Sequence, residues 1–62
     1  MSKFYVGQQV VTVAANPTLG LAKGETGRII DIQQLEPYAI GYTVAFKGKL
    51  LLVCESILEG KP

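Results

Sequence analysis

The chain has 62 residues, 48% of them hydrophobic, and a formal net charge of +1. That makes one domain (1–62) near the lower size at which a core can be buried, without the strongly basic balance of a dedicated nucleic-acid binder. One cysteine, Cys54, and no histidine exclude an internal disulfide and the usual zinc ligand sets, so no metal and no cofactor are expected. Stabilisation then has to come from an apolar core or from self-association, and a mean hydropathy of +0.30 points to a homo-oligomer.

In chain order, Met1-Ser2-Lys3-Phe4-Tyr5 lacks the apolar segment of a secretory signal, and no apolar stretch approaches the roughly 18 residues of a membrane span. With an unpaired thiol, this reads as a cytoplasmic protein without membrane contact. Val10-Val11-Thr12-Val13-Ala14 is β-branched, too short for a helix and bounded by Asn16-Pro17, which predicts a first strand. Proline denies Asn16 the helical region, so a long first loop runs to Lys23, with Leu19 and Leu21 tucked onto the core. Gly20, Gly24 and Gly27 stand where the backbone can turn through positive φ or be closely approached.

Arg28-Ile29-Ile30-Asp31-Ile32 predicts the second strand. Adjacent isoleucines break strict alternation, which calls for a bulge or two-sided burial. Gln33 to Pro37 is polar, ends in proline and reads as a connection. Gly41 to Phe46 predicts a third strand with Tyr42, Val44 and Phe46 alternating inward. Lys47-Gly48-Lys49 reads as a tight hairpin, followed by a fourth strand over Leu50–Cys54. Glu55-Ser56-Ile57 has the brevity of one helical turn, and Leu58-Glu59 can close the sheet as a fifth strand.

Short strands at spacings of about 8–12 residues, with one long first loop and a tight last hairpin, predict an all-β fold: a small antiparallel barrel of about five strands with a short helical turn before the last one. Gly20-Leu21-Ala22-Lys23-Gly24-Glu25-Thr26-Gly27-Arg28-Ile29-Ile30 and the later Tyr42-Thr43-Val44-Ala45-Phe46 resemble the small bacterial SH3-like barrel domains with a Gly-Leu-x-x-Gly-x-x-Gly-x-Ile-Ile signature. The resemblance implies that fold in a bacterial or mobile-element setting. It leaves function open, because this barrel hosts peptide binders, ribosomal and transcription modules and enzyme subunits. Gly48 to Glu59 also resembles, in spacing alone, the last hairpin of the plasmid-type dihydrofolate reductases. Where that family reads Val-Gln-Ile-Tyr, this chain has Leu50, Leu51, Leu52 and Val53, without the amide and phenol that bind ligands, so the activity is not implied.

The remaining candidates are surfaces. Glu25, Asp31, Glu36, Glu55 and Glu59 lie at separate turns or strand ends and read as solvated charges, and no catalytic residue is assigned. Cys54, ending an apolar strand, reads as a small buried hydrophobe. Lys23, Lys47 and Lys49, with Tyr38 or Tyr42 beside them, form the candidate binding surface for an unknown protein partner. The alternative is RNA, contacted as the KOW-type barrels do by resemblance. The unbroken Leu50-Leu51-Leu52-Val53 run leaves one apolar pair facing away from a small core. Placing Leu50 opposite inward-facing Phe46 assigns Leu51 and Val53 to the outside, as the interface of a homo-oligomer. The competing reading covers that pair with Ile57 and Leu58 or with Phe4 and Tyr5. The leading expectation is a non-enzymatic binding or assembly module that self-associates. A nucleic-acid contact module is its alternative, followed by an enzyme subunit whose site forms only on oligomerisation.

Overall fold

The computed structural model describes residues 2–37 and 39–62. Five strands, β1 (Gln9–Thr12), β2 (Thr26–Glu36), β3 (Ala39–Phe46), β4 (Lys49–Cys54) and β5 (Leu58–Gly60), form one antiparallel sheet in the order β4-β3-β2-β1-β5. Single 3-10 turns occupy Pro17–Leu19 in the first loop and Glu55–Ile57 between β4 and β5. The sheet is open, with β4 and β5 at its two edges, so the all-β, five-stranded architecture holds while the closed barrel does not.

Alternation builds the core. Val10 and Thr12 on β1, Ile29 on β2, and Tyr42, Val44 and Phe46 on β3 all point inward, joined by Val53 of β4 and Leu58 of β5. Phe4 and Leu21 reach the same cluster from outside the sheet, with Leu19 partly buried against it. Thr12 is the buried polar member. Its hydroxyl donates to the Ala22 carbonyl at 2.7 Å and accepts from the Glu25 amide at 2.9 Å, which pins the end of the first loop and satisfies a group that is costly to bury unpaired. The start of that loop is held by Asn16, whose side chain accepts from the Leu19 amide at 3.3 Å ahead of Pro17. Gly20 and Gly24 take positive φ, as the loop chemistry predicts.

One feature of β2 and β3 differs from the sequence reading. The segment Gln33–Glu36, read as a connection, continues β2 and pairs with Ala39–Gly41. Its side chains are mostly exposed on both faces, so it carries no alternating hydrophobic signal. The expected bulge is present, between Ile29 and Asp31; it lets Ile29 be buried while Ile30 is left exposed.

Gly27 does not take a positive φ. What excludes a side chain there is space: a Cβ would lie 2.5 Å from Val44 Cγ1, 3.0 Å from Phe46 Cδ1 and 3.1 Å from the Ala45 carbonyl oxygen. The glycine lets β3 side chains fold over β2 where the sheet curls. Gly27→Ala is therefore expected to cost about 1–3 kcal/mol through overpacking, read as a lowered thermal midpoint. A melt that coincides with the parent's would show that Val44 and Phe46 can move aside freely.

Candidate functional site

The first loop and the β3–β4 hairpin adjoin, as the basic-surface reading requires. Lys49 is half-buried, and its ammonium donates to the Gly20 carbonyl at 2.8 Å, so its main work is to tie the hairpin to the loop. Lys23 and Lys47 are exposed beside this junction on the loop and the turn. Arg28 is likewise engaged, donating to the Gly7 carbonyl at 2.6 Å. Tyr42 is removed from the surface altogether. It is fully buried, because it shares the inward face of β3 with Val44 and Phe46. Tyr38 lies outside the described residues.

Buried Tyr42 anchors a polar latch on the N-terminal segment. Its hydroxyl accepts from the backbone amides of Lys3 at 3.1 Å and Phe4 at 3.2 Å, and donates to Glu55 Oε2, which also accepts from the Lys3 amide at 3.1 Å. The Phe4 ring packs edge-on against Tyr42 with centroids 5.3 Å apart. Burial, and then the bond to Glu55, push the Tyr42 phenol above its ordinary range. The Tyr42 hydroxyl, and then the Lys3 amide, hold the Glu55 carboxyl below the usual carboxylate range. A shallow cleft of about 420 Å³ opens beside the latch, with Lys3, Ile40, Cys54 and Ser56 among its lining. The Tyr42 hydroxyl and Glu55 Oε2 are both engaged within the chain, so the arrangement fastens residues 3–4 to the core. Cys54 is exposed, contrary to the buried thiol expected, and the described residues contain no group of three or more Cys, Asp or Glu side chains placed to hold a metal ion.

The outward face of β4 is where the structure departs most from the expectation. Val53 is 1% exposed and Leu51 is half-buried against the core, whereas Leu50 is 64% and Leu52 44% exposed. The assigned pair, Leu51 and Val53, is therefore the inward pair. The reason is register: the loop is Lys47-Gly48 alone, Phe46 pairs with Lys49, and Leu50 lies opposite Ala45. One residue's difference in the turn exchanges the faces of the whole strand. Neither Phe4 and Tyr5 nor Ile57 and Leu58 cover the outward leucines, since Phe4, Ile57 and Leu58 pack on the core and Tyr5 is exposed.

Around these leucines β3 presents only small residues outward, Gly41, Thr43 and Ala45 opposite Cys54, Leu52 and Leu50. Leu35 of β2, 43% exposed, leans over the same strand. A Cβ on Gly41 would lie 2.8 Å from Leu35 Cδ1 and 3.2 Å from Leu52 Cδ1. The two leucines thus meet over a glycine, and with Leu50 they make an exposed apolar stripe. Leu35 was hidden from sequence reasoning inside a segment that reads as polar. Compared with protein-family models, with curated proteins and with solved structures, the chain has no significant match.

The latch predicts a two-sided pH profile. The Glu55 contribution to stability is present above the ordinary carboxylate pKa of about 4.3 and is lost as pH falls through its lowered folded value. The Tyr42 contribution is present below about pH 10 and is lost as pH rises through its raised folded value. Tyr42→Phe should cost about 1–2 kcal/mol at neutral pH, because the buried Phe4 amide loses its acceptor, and should flatten both limbs. Glu55→Gln should flatten the acid limb. Denaturant titrations from acid to alkaline pH check this; parallel profiles for parent and variants would refute it.

Proposed function

We propose that this chain is a domain of the SH3-like type, its five-stranded sheet curled without closing, that works by binding and assembly and associates with itself. The SH3-like reading is supported by a long first loop, a tight hairpin before the fourth strand, and a single 3-10 turn leading into a short last strand that pairs with the first. The self-association reading rests on one observation: Leu50 and Leu52 stand exposed together on an edge strand, joined by Leu35, while Phe4 and Leu58 are committed to the core. Fully burying a leucine is worth about 1.5–3 kcal/mol, and much of that gain is unrealised for both residues.

Nucleic-acid contact is the second reading, and the loop–hairpin junction is what favours it. Lys49 and Arg28 are engaged with backbone carbonyls there, so the contact would rest on Lys23 and Lys47.

Sedimentation equilibrium over about 1–100 μM, the range of modest interfaces, tests the proposal. The parent is expected to exceed its 6.7 kDa monomer mass in a concentration-dependent way, and Leu50→Lys to return it to the monomer with the fold intact. A parent that stays monomeric throughout overturns self-association. Retention on single-stranded RNA that weakens steeply with salt, and that is lost in Lys23→Glu with Lys47→Glu, would favour the second reading.

A further inference from the structure

We propose that two copies join edge to edge through β4, antiparallel about a twofold axis at Leu52, so that two sheets become one continuous sheet. This rests on the self-association reading and specifies its geometry. Among the described residues β4 pairs only with β3, and no turn or loop backbone bonds to Lys49–Cys54. In a two-residue hairpin the closing pair, here Phe46 and Lys49, exchanges hydrogen bonds, and bonded and non-bonded pairs then alternate along the strands. The amides and carbonyls of Leu51 and Val53 therefore face β3, and those of Leu50, Leu52 and Cys54 face the open edge. The same three residues carry the outward side chains, so one partner strand can meet backbone and apolar groups together.

Edges of this kind are ordinarily blunted by proline, a bulge or an inward charge. β4 has no proline and pairs in unbroken register, and its one charge, Lys49, is turned onto the Gly20 carbonyl. The occupant that fits is a second copy, because the strand complements itself. Continuous faces require the axis to pass through a residue, and only Leu51 and Leu52 give near-full overlap. An axis at Leu51 pairs Leu50 with Leu52 but leaves Cys54 opposite the turn residue Gly48. An axis at Leu52 sets Leu52 against itself and Leu50 against Cys54, engaging every free edge group.

Amide hydrogen exchange on the unmodified chain is the first test. Between dilute and concentrated samples, exchange at Leu50, Leu52 and Cys54 should slow by about tenfold or more, with Leu51 and Val53 little changed. Mild oxidation of Leu50→Cys, which retains Cys54, should give a covalent dimer, because directly opposed strand residues lie within disulfide reach; Leu50→Cys with Cys54→Ala should not. If sedimentation shows an oligomer but the three amides are unaffected and the cross-link is absent, the edge pairing is wrong while self-association stands. A cross-link formed equally without Cys54 refutes the register. A parent that stays monomeric overturns both.

Discussion

Three residues, Glu55–Ile57, carry the chain from one edge of the sheet to the other, and most of the architecture answers to that short connection. In a flat sheet, β4 and β5 would be about 19 Å apart at about 4.8 Å per strand, whereas a three-residue 3-10 turn advances only about 6 Å. The sheet must therefore curl until its edges approach. The long strand β2 bends where Ile30 is extruded, and Gly27 yields its side-chain space to Val44 and Phe46 on the inside of the curve. Glu55, at the start of the connection, is fastened to Tyr42 on β3, the strand beside that edge.

The curl gives the domain one inside, and β3 shows how its composition is divided. Large residues, Tyr42, Val44 and Phe46, fill the concave face, while Gly41, Thr43 and Ala45 leave the convex face low. Leu35 and Leu52 can lie across that low strand only because Gly41 has no side chain in the way. The convex face is thus shaped as well as apolar: a shallow path over β3 between β2 and the leucines of β4. A surface of that form suits contact with another flat or gently curved sheet better than capture of a deeply inserted side chain.

Much of this was legible in the sequence, and its failures share a cause. The inward set on β3, the bulge at adjacent isoleucines, the helical turn at Glu55-Ser56-Ile57 and the last short strand all follow from local chemistry and agree with the structure. Register across a turn is not local. Assigning Lys49 to the turn rather than to the strand was enough to place Leu51 and Val53 outside and Leu50 inside. Cys54, which shares a face with Leu50 and Leu52, was misplaced by the same slip. At Gly27 the sequence admits either a positive φ or a close approach, and the contact with Val44 and Phe46, far along the chain, decides for the second. Tyr42 was both an inward strand residue and a candidate surface aromatic in the sequence, and only the packing of Phe4 and Glu55 around it decides between them.

The latch has a kinetic side. Its bonds join Lys3 and Phe4 to residues 38 to 52 positions later in the chain, so this segment has no docking place until β3 and the Glu55 turn exist. Phe4 must wait, exposed, while the hairpins assemble from near-neighbour pairings, and contacts of such long sequence separation pay their loop-closure entropy late. Lys3 and Phe4 are thereby the last to be fixed, and their docking marks the completion of the domain.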